Sequence, residues 1–405
     1  MVMRMMPTPE TSLFLNPKAR RGALVPHHAE LVGAQAPASV RRYLSVCPRH
    51  GTTPLHRLDG LAKAHGLGSI SAKDEGHRLG LVSFKALGGA YAVARLVEGW
   101  ASEALRQQVA PGDLASEAVR AVAAKHTVTC ATDGNHGRSV AAGAKVFGCA
   151  AVIFVHTHVA DERRQAMAAF GAEIIEVAGN YDDSVAECAR VAALRGWQVV
   201  SDTSYPGYTE IPGLVMQGYT VMVDEALGQL GEPPTHVFVQ GGVGGLAAAV
   251  AGHMADRFGA TRPKLIVVEP EAANCLLRSA KAGRAIAMTP GAPTIMGMLE
   301  CYRPSDVAWS ILQHHADAFM DVIEASAPDV MKRLALPVAG DPAIVAGESG
   351  GAGLAGALAA AADTAKRAAL GLDAQSRVLV FISEGATSPS AYRSIVGHSV
   401  TNNAQ

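Results

Sequence analysis

Short apolar runs rich in β-branched residues recur along the chain, each separated from the next by room for one helix. Residues 125–132 (KHTVTCAT), 150–156 (AAVIFVH), 172–178 (AEIIEVA) and 197–203 (WQVVSDT) form one series. Residues 235–240 (THVFVQ), 263–270 (PKLIVVEP) and 376–383 (SRVLVFIS) form a second. Helical patterns such as ADERRQAMAAFG and DDSVAECARVAALRG lie between them, the latter opened by acidic residues and closed by glycine, as helix ends prefer. Strand–helix–strand repetition implies parallel pairing through right-handed crossovers. The fold class is therefore α/β. A chain of 405 residues exceeds what one core usually serves. Two series then give two domains, each a parallel sheet flanked by helices, with ligands expected in the cleft between them. Residues 1 to about 45, rich in Pro and Arg, read as an irregular surface arm.

A formal net charge of -1 argues against nucleic acid or an anionic membrane as the main partner. No stretch approaches a membrane span, because the apolar helices are Ala-rich and interrupted by charge. The six cysteines lie scattered without a C-x-x-C pair, so neither a disulfide nor a zinc framework is expected and a reducing cytoplasm is the simpler setting. The N-terminal stretch lacks the apolar core of a signal peptide.

Two segments carry chemistry. VQGGVGGLAAAVAG follows the strand at 235–240, and Gly241, Gly242, Gly244 and Gly245 would present backbone N–H groups at a helix start, a cradle for phosphate. Gly242, Gly244 and Ala247 also satisfy G-x-G-x-x-A, with Glu269 placed as a ribose-binding acid, so a dinucleotide, a single phosphate and a plain tight turn all remain open on local grounds. The other segment, SAKDEGHRLGLVSFKALGGAYAV (71–93), sets Lys85 among small and apolar residues. Burial there lowers a lysine pKa toward that of a nucleophile; the ordinary alternative is a lysine snorkelling to solvent.

KDEGHRLGLVSFKALGGA resembles the lysine motif of fold-type II pyridoxal phosphate enzymes, the tryptophan synthase β-like and serine/threonine dehydratase group. The order of motifs is similar too: Thr132-Asp133-Gly134-Asn135-His136-Gly137-Arg138 stands where that family grips the substrate carboxylate, followed by the glycine loop and by Ser383. The resemblance spans about 300 residues and displaces the dinucleotide reading. It implies pyridoxal 5'-phosphate as cofactor, with Lys85 as covalent anchor and Gly241, Gly242, Val243, Gly244 and Gly245 around the phosphate. Asn135 would bond the ring hydroxyl, and Ser383, or less fittingly Thr387, the pyridine nitrogen. It further implies a homodimer, with residues 1–89 and 204–405 forming a large cofactor-binding domain and 90–203 a small substrate-loop domain.

Asp133 breaks the family pattern. A carboxylate about 4 Å from a substrate carboxylate costs several kcal/mol, so Asp133 must face a proton or a positive charge. ATDGNHGR resembles the loop of one subfamily, the 2,3-diaminopropionate ammonia-lyases, as do SDTSYPGYTEIPGLVMQGY (201–219), PTIMGML (293–299) and ADAFMDV (316–322). The subfamily implies elimination of ammonia from 2,3-diaminopropionate, giving pyruvate and two ammonia. Lys85 and Asp133 would act as bases from opposite faces, and Asp133 and Asp202 would hold the β-ammonium. Gly134 and His136 would line the substrate loop. Glu348 and Ser349, in AGESGGAG, would touch substrate. For Asp202 the plain alternative is a turn residue past a strand.

The competing activities are a serine, threonine or 3-hydroxyaspartate dehydratase and a β-replacement enzyme of the same fold. A binding protein retaining the fold and a nicotinamide oxidoreductase stand further off. His156 and His158 alternate on a strand end without partner carboxylates, so no metal is expected there. The pairs His27-His28 and His314-His315 read as surface residues, and Cys301 as a buried thiol.

Overall fold

The computed structural model describes residues 11–397 and contains two sheets. The strands in chain order are β1 (Leu13–Leu15), β2 (Leu55–Arg57), β3 (Ser69–Asp74), β4 (Thr127–Ala131), β5 (Ala150–His156), β6 (Glu173–Val177), β7 (Gln198–Val199), β8 (His236–Gln240), β9 (Lys264–Pro270), β10 (Ala318–Val322) and β11 (Arg377–Ile382). The larger sheet runs β1-β10-β9-β8-β11-β3-β2 and the smaller β6-β5-β4-β7. All strands of the smaller sheet fall within residues 90–203, and all others lie outside that span.

The smaller sheet is wholly parallel. The larger is parallel only across its five inner strands; β1 and β2 close its edges antiparallel, a refinement of the all-parallel expectation. β2 is joined to β3 through the short helix Asp59–Ala64 and still pairs with it antiparallel.

Successive residues of the inner strands point to opposite faces, and both faces are covered. Val237, Val239, Val267 and Phe381 enter one apolar cluster, which continues under helices Lys85–Leu105, Asn135–Phe147 and Glu210–Gln229. Phe238, Ile266, Val268 and Val380 enter another, beneath helices Ser326–Ala335 and Ala352–Ala362. Strands buried on both faces lose period-two alternation and read as continuous apolar runs.

The arm expectation fails in part. Residues 11–45 contain β1 and helices Pro26–Val32 and Ala36–Leu44. Each helix carries proline in its first turn, where the missing N–H costs nothing. The histidine pairs also differ from expectation: His28 and His315 are buried, and burial pushes both down to about 4.

Helix Lys85–Leu105 locks the site together through glycine. A Cβ on Gly218 would stand 2.7 Å from the Leu87 carbonyl and 2.8 Å from the Gly88 Cα, so this crossing exists only without side chains. On its other flank Ser139 Oγ accepts from the Ala90 N–H at 3.0 Å, joining the Lys85 helix to the Asn135 helix.

Candidate active site

Ligands of parallel α/β sheets bind at the carboxyl ends of the strands, and the sequence-singled residues gather there. Register Ala131↔Phe154 joins β4 to β5, and Thr129↔Val199 joins β4 to β7. Three adjacent strand ends therefore deliver His156, Asp133 and Asp202. From the larger sheet, β8 runs into Gly241 and β11 into Ser383.

Lys85 is the first residue of its helix, preceded by a segment in which Leu79 and Val82 adopt positive φ (51° and 62°). A β-branched residue there is strained, and such strain persists only where surrounding structure over-determines it. The determinants are present: the Phe84 N–H donates to the Ser383 carbonyl (3.0 Å), and the Gly385 N–H donates to the Val82 carbonyl (2.9 Å). Lys85 Nζ pairs with Asp202 Oδ2 and lies 5.5 Å from the centre of the Phe84 ring and 6.0 Å from that of Tyr219. The sequence suggested a lowered pKa, and burial does pull it down, but the adjacent Asp202 carboxylate outweighs burial and raises the amine above the usual lysine range. Asp202, in turn, is held well below the carboxylate range: burial opposes its charge, and Lys85 more than compensates.

His136 Nε2 lies 2.7 Å from the Val200 carbonyl. A carbonyl only accepts, so Nε2 carries the hydrogen. Nδ1 is then a buried acceptor without a hydrogen-bond partner among the described residues, 4.0 Å from Asp202 Oδ2, and burial lowers the ring's pKa. Asp133 Oδ1 is 2.9 Å from His156 Nε2, which corrects the premise that this histidine lacks a carboxylate. The charges of Asp133 and Asp202 both act on the Cys301 thiol, which burial first and those charges next push up to about 12. Cys301 also senses Lys85, and its Sγ would stand 3.1 Å from a Cβ on Gly242. Tyr219, whose ring centre lies 6.0 Å from Lys85 Nζ, would also stand 3.8 Å from a Cβ on Gly245, so the Lys85–Asp202 pair and the glycine loop face one space.

The loop has the form of an anion cradle. Gly244 has φ +101°, and among the described residues no backbone carbonyl takes the N–H groups of Gly242, Gly244 or Gly245, at the start of helix Gly245–Phe258. Glu269, the acid of the dinucleotide reading, is buried elsewhere, its carboxylate accepting from the Leu276 and Leu277 N–H groups (2.8 and 2.7 Å).

Asn135 donates to Glu384 Oε2, and the Ser349 N–H donates to Glu384 Oε1 at 3.2 Å. Ser383 Oγ accepts from Gln240 Nε2 at 2.8 Å, and the Thr387 hydroxyl reaches Glu384 at 3.4 Å. Glu348 is buried, with Oε2 unpartnered among the described residues. Burial first, then the charge of Glu348, pushes Glu384 up to about 7. The Gly134 backbone, at φ +149°, lies under Arg163, whose Cδ would be 3.2 Å from a Cβ there. Glu384, Tyr219, Tyr181 and His156 were missed as site residues. Only Glu384 had a local signal, its place beside Ser383. Tyr181 senses both aspartates, and its hydroxyl is held well above its usual value, chiefly by burial.

A lysine on a strained helix start, a glycine cradle and polar groups at the ends of two sheets define an enzyme that holds a phosphorylated carbonyl cofactor. The chain belongs to the family of pyridoxal-phosphate dependent enzymes, whose model matches residues 46–384. Within it, the chain is 40% identical over 352 residues to the diaminopropionate ammonia-lyase of Escherichia coli strain K12, covering 85% of this chain and 87% of that one. The diaminopropionate ammonia-lyase of Salmonella typhimurium strain LT2 is 38% identical, with 86% and 89% covered. The crystal structure of the selenomethionine holo diaminopropionate ammonia lyase of Escherichia coli matches with a TM-score of 0.87 at 35% identity, covering 96% of each chain. The residues present fit the cofactor: unclaimed N–H donors at a glycine turn that side chains would crowd, and an amine facing the same space.

Proposed function

We propose that this enzyme is a carbon–nitrogen lyase that eliminates ammonia from 2,3-diaminopropionate, giving pyruvate and two ammonia. The observation that carries the reading is the placement of two carboxylates, Asp133 and Asp202, on adjacent strand ends of one sheet, with Asp202 paired to Lys85. A hydroxyl leaving group has no use for two negative charges, whereas a second amine is a cation that both can hold. Lys85 would anchor pyridoxal phosphate, the Gly241–Gly245 backbone including Val243 its phosphate, Asn135 its ring hydroxyl and Ser383 its ring nitrogen. When bound, the cofactor supplies the electron sink that makes the substrate α-proton removable.

The chain's residues then divide the work. Lys85 takes the α-proton from one face and Asp133 from the other, so that each serves one enantiomer. Asp202 exchanges the Lys85 ammonium for the β-ammonium of the substrate, and His136 Nδ1 adds a neutral acceptor beside it. Cleavage of the Cβ–N bond releases the β-nitrogen as ammonia with the bonding pair. Hydrolysis of the freed enamine gives pyruvate and the second ammonia. Gly134, Glu348 and Ser349 border the same space and would contact substrate.

The wider setting follows the same reading. All six cysteines are free thiols, which fits a reducing cytoplasm, and among the described residues no helix is long and apolar enough to cross a membrane. The family resemblance implies a homodimer, and residues 90–203 would move as one unit against the remainder.

Assaying pyruvate from each enantiomer of diaminopropionate and of serine tests the proposal. We expect turnover of diaminopropionate to exceed that of serine, and Asp133→Asn to depress one enantiomer by about 10²–10⁴-fold more than the other. Faster turnover of serine would return the enzyme to the dehydratases.

A further inference from the structure

We infer that His156 is the positioning residue for Asp133: its Nε2–H holds Oδ1 and leaves Oδ2 directed to the proton that Asp133 removes. The inference rests on the reading of Asp133 as a base given above. Three observations carry it. Register Ala131↔Phe154 between β4 and β5 brings Asp133 and His156, each two residues further on, out side by side. The two side chains meet at 2.9 Å. The tautomer is then fixed by the backbone, because the His158 N–H donates to His156 Nδ1 at 3.2 Å. A nitrogen that accepts carries no hydrogen, so in the neutral ring the hydrogen is on Nε2 and is donated to Asp133.

This arrangement supplies what a carboxylate base on a loop otherwise lacks. A donor on one oxygen fixes the plane of the carboxylate. Among the described residues Asp133 Oδ2 accepts no hydrogen bond and is free to take a proton. His156 does not enter the transfer, since its Nε2 already carries hydrogen. The Cα–H bond breaks, its proton passes to Oδ2, and its electron pair stays with the substrate. His158 completes the device through its backbone alone.

Two variants and one spectrum test it. His156→Phe keeps a ring without the donor, and His156→Gln restores an N–H near the same place. We expect His156→Phe to lower kcat for the enantiomer that depends on Asp133 by about 10–100-fold relative to the other, with cofactor content unchanged, and His156→Gln to recover most of it. In the cofactor-free protein labelled with 15N-histidine, the resonance lost in His156→Gln is expected to show a protonated Nε2 and an unprotonated Nδ1. A protonated Nδ1, or an equal effect of His156→Phe on both enantiomers while Asp133→Asn remains selective, overturns the inference alone. An equal effect of Asp133→Asn on both enantiomers overturns Asp133 as the base, and the inference with it.

Discussion

Lys85 Nζ and Asp202 Oδ2 form an ion pair between residues 117 positions apart, one at a helix start and the other beyond β7. Each charge sustains the other against burial. The amine is therefore kept as an ammonium in the cofactor-free protein, and covalent attachment requires it neutral.

Asp202→Asn removes the stabilising charge and leaves burial, which lowers the Lys85 pKa. Attachment of pyridoxal phosphate to the cofactor-free variant at neutral pH is expected to quicken by about 10-fold or more, since each pKa unit is a tenfold change in the neutral fraction. Turnover of diaminopropionate is expected to fall about 10²–10⁴-fold. Stopped-flow absorbance and a pyruvate assay measure the two effects. Loss of both together would mean that Asp202 supports the fold and not the amine.

Gly244→Asp imposes a side chain at φ +101°, with Cβ 3.1 Å from Leu312 Cδ1 and 3.2 Å from Ala308 Cβ. Left-handed strain costs about 1–2 kcal/mol, and the new charge opposes a phosphate. Cofactor affinity is expected to drop by about 100-fold or more in equilibrium dialysis, with the circular dichroism of the fold preserved. Cofactor retention equal to the parent would remove the loop from the site.

Glu384→Gln tests the buried acid. Its carboxyl is raised from 4.5 to about 7, so the protonated form is favoured by folding. That contribution is complete below the unfolded value and is lost as pH rises through the folded one. The cofactor-free protein is expected to lose up to roughly 3 kcal/mol between about pH 4.5 and 7 from this group. The thermal midpoint of Glu384→Gln will be flatter over that window; an unchanged slope assigns the titration elsewhere.

Arg78→Met breaks a buried network. The guanidinium bonds Glu75, Glu225, Thr53 and the Gly51 carbonyl, and is fully buried, while Lys73 supplies the other cation at Glu225. Removing it leaves two buried carboxylates with one cation, Lys73, between them, at a cost of about 3–5 kcal/mol. Urea unfolding will register this as a lower midpoint at constant slope; a shift within 0.5 kcal/mol, the range typical of exposed positions, would show that water replaces the cation.

Chemistry written in contiguous residues was legible from the chain alone. Lys85 in its small-residue helix, the Gly241–Gly245 turn, Asp133 in its Gly-Asn loop and the strands from β4 to β9 were legible because backbone preference and turn geometry act within a few residues. Tertiary structure decided the pairings. Asn135 meets Glu384 across 249 positions, and Asp202 meets Lys85 rather than water. His156, which has no carboxylate in its own strand, finds Asp133 because β4 and β5 are paired in one register. Strand order and register are fixed by the packing of whole faces, which no local pattern records, and electrostatics follows from them. The lysine pKa shows the consequence: local sequence predicts the lowering that burial causes, and only the distant Asp202 reverses its sign.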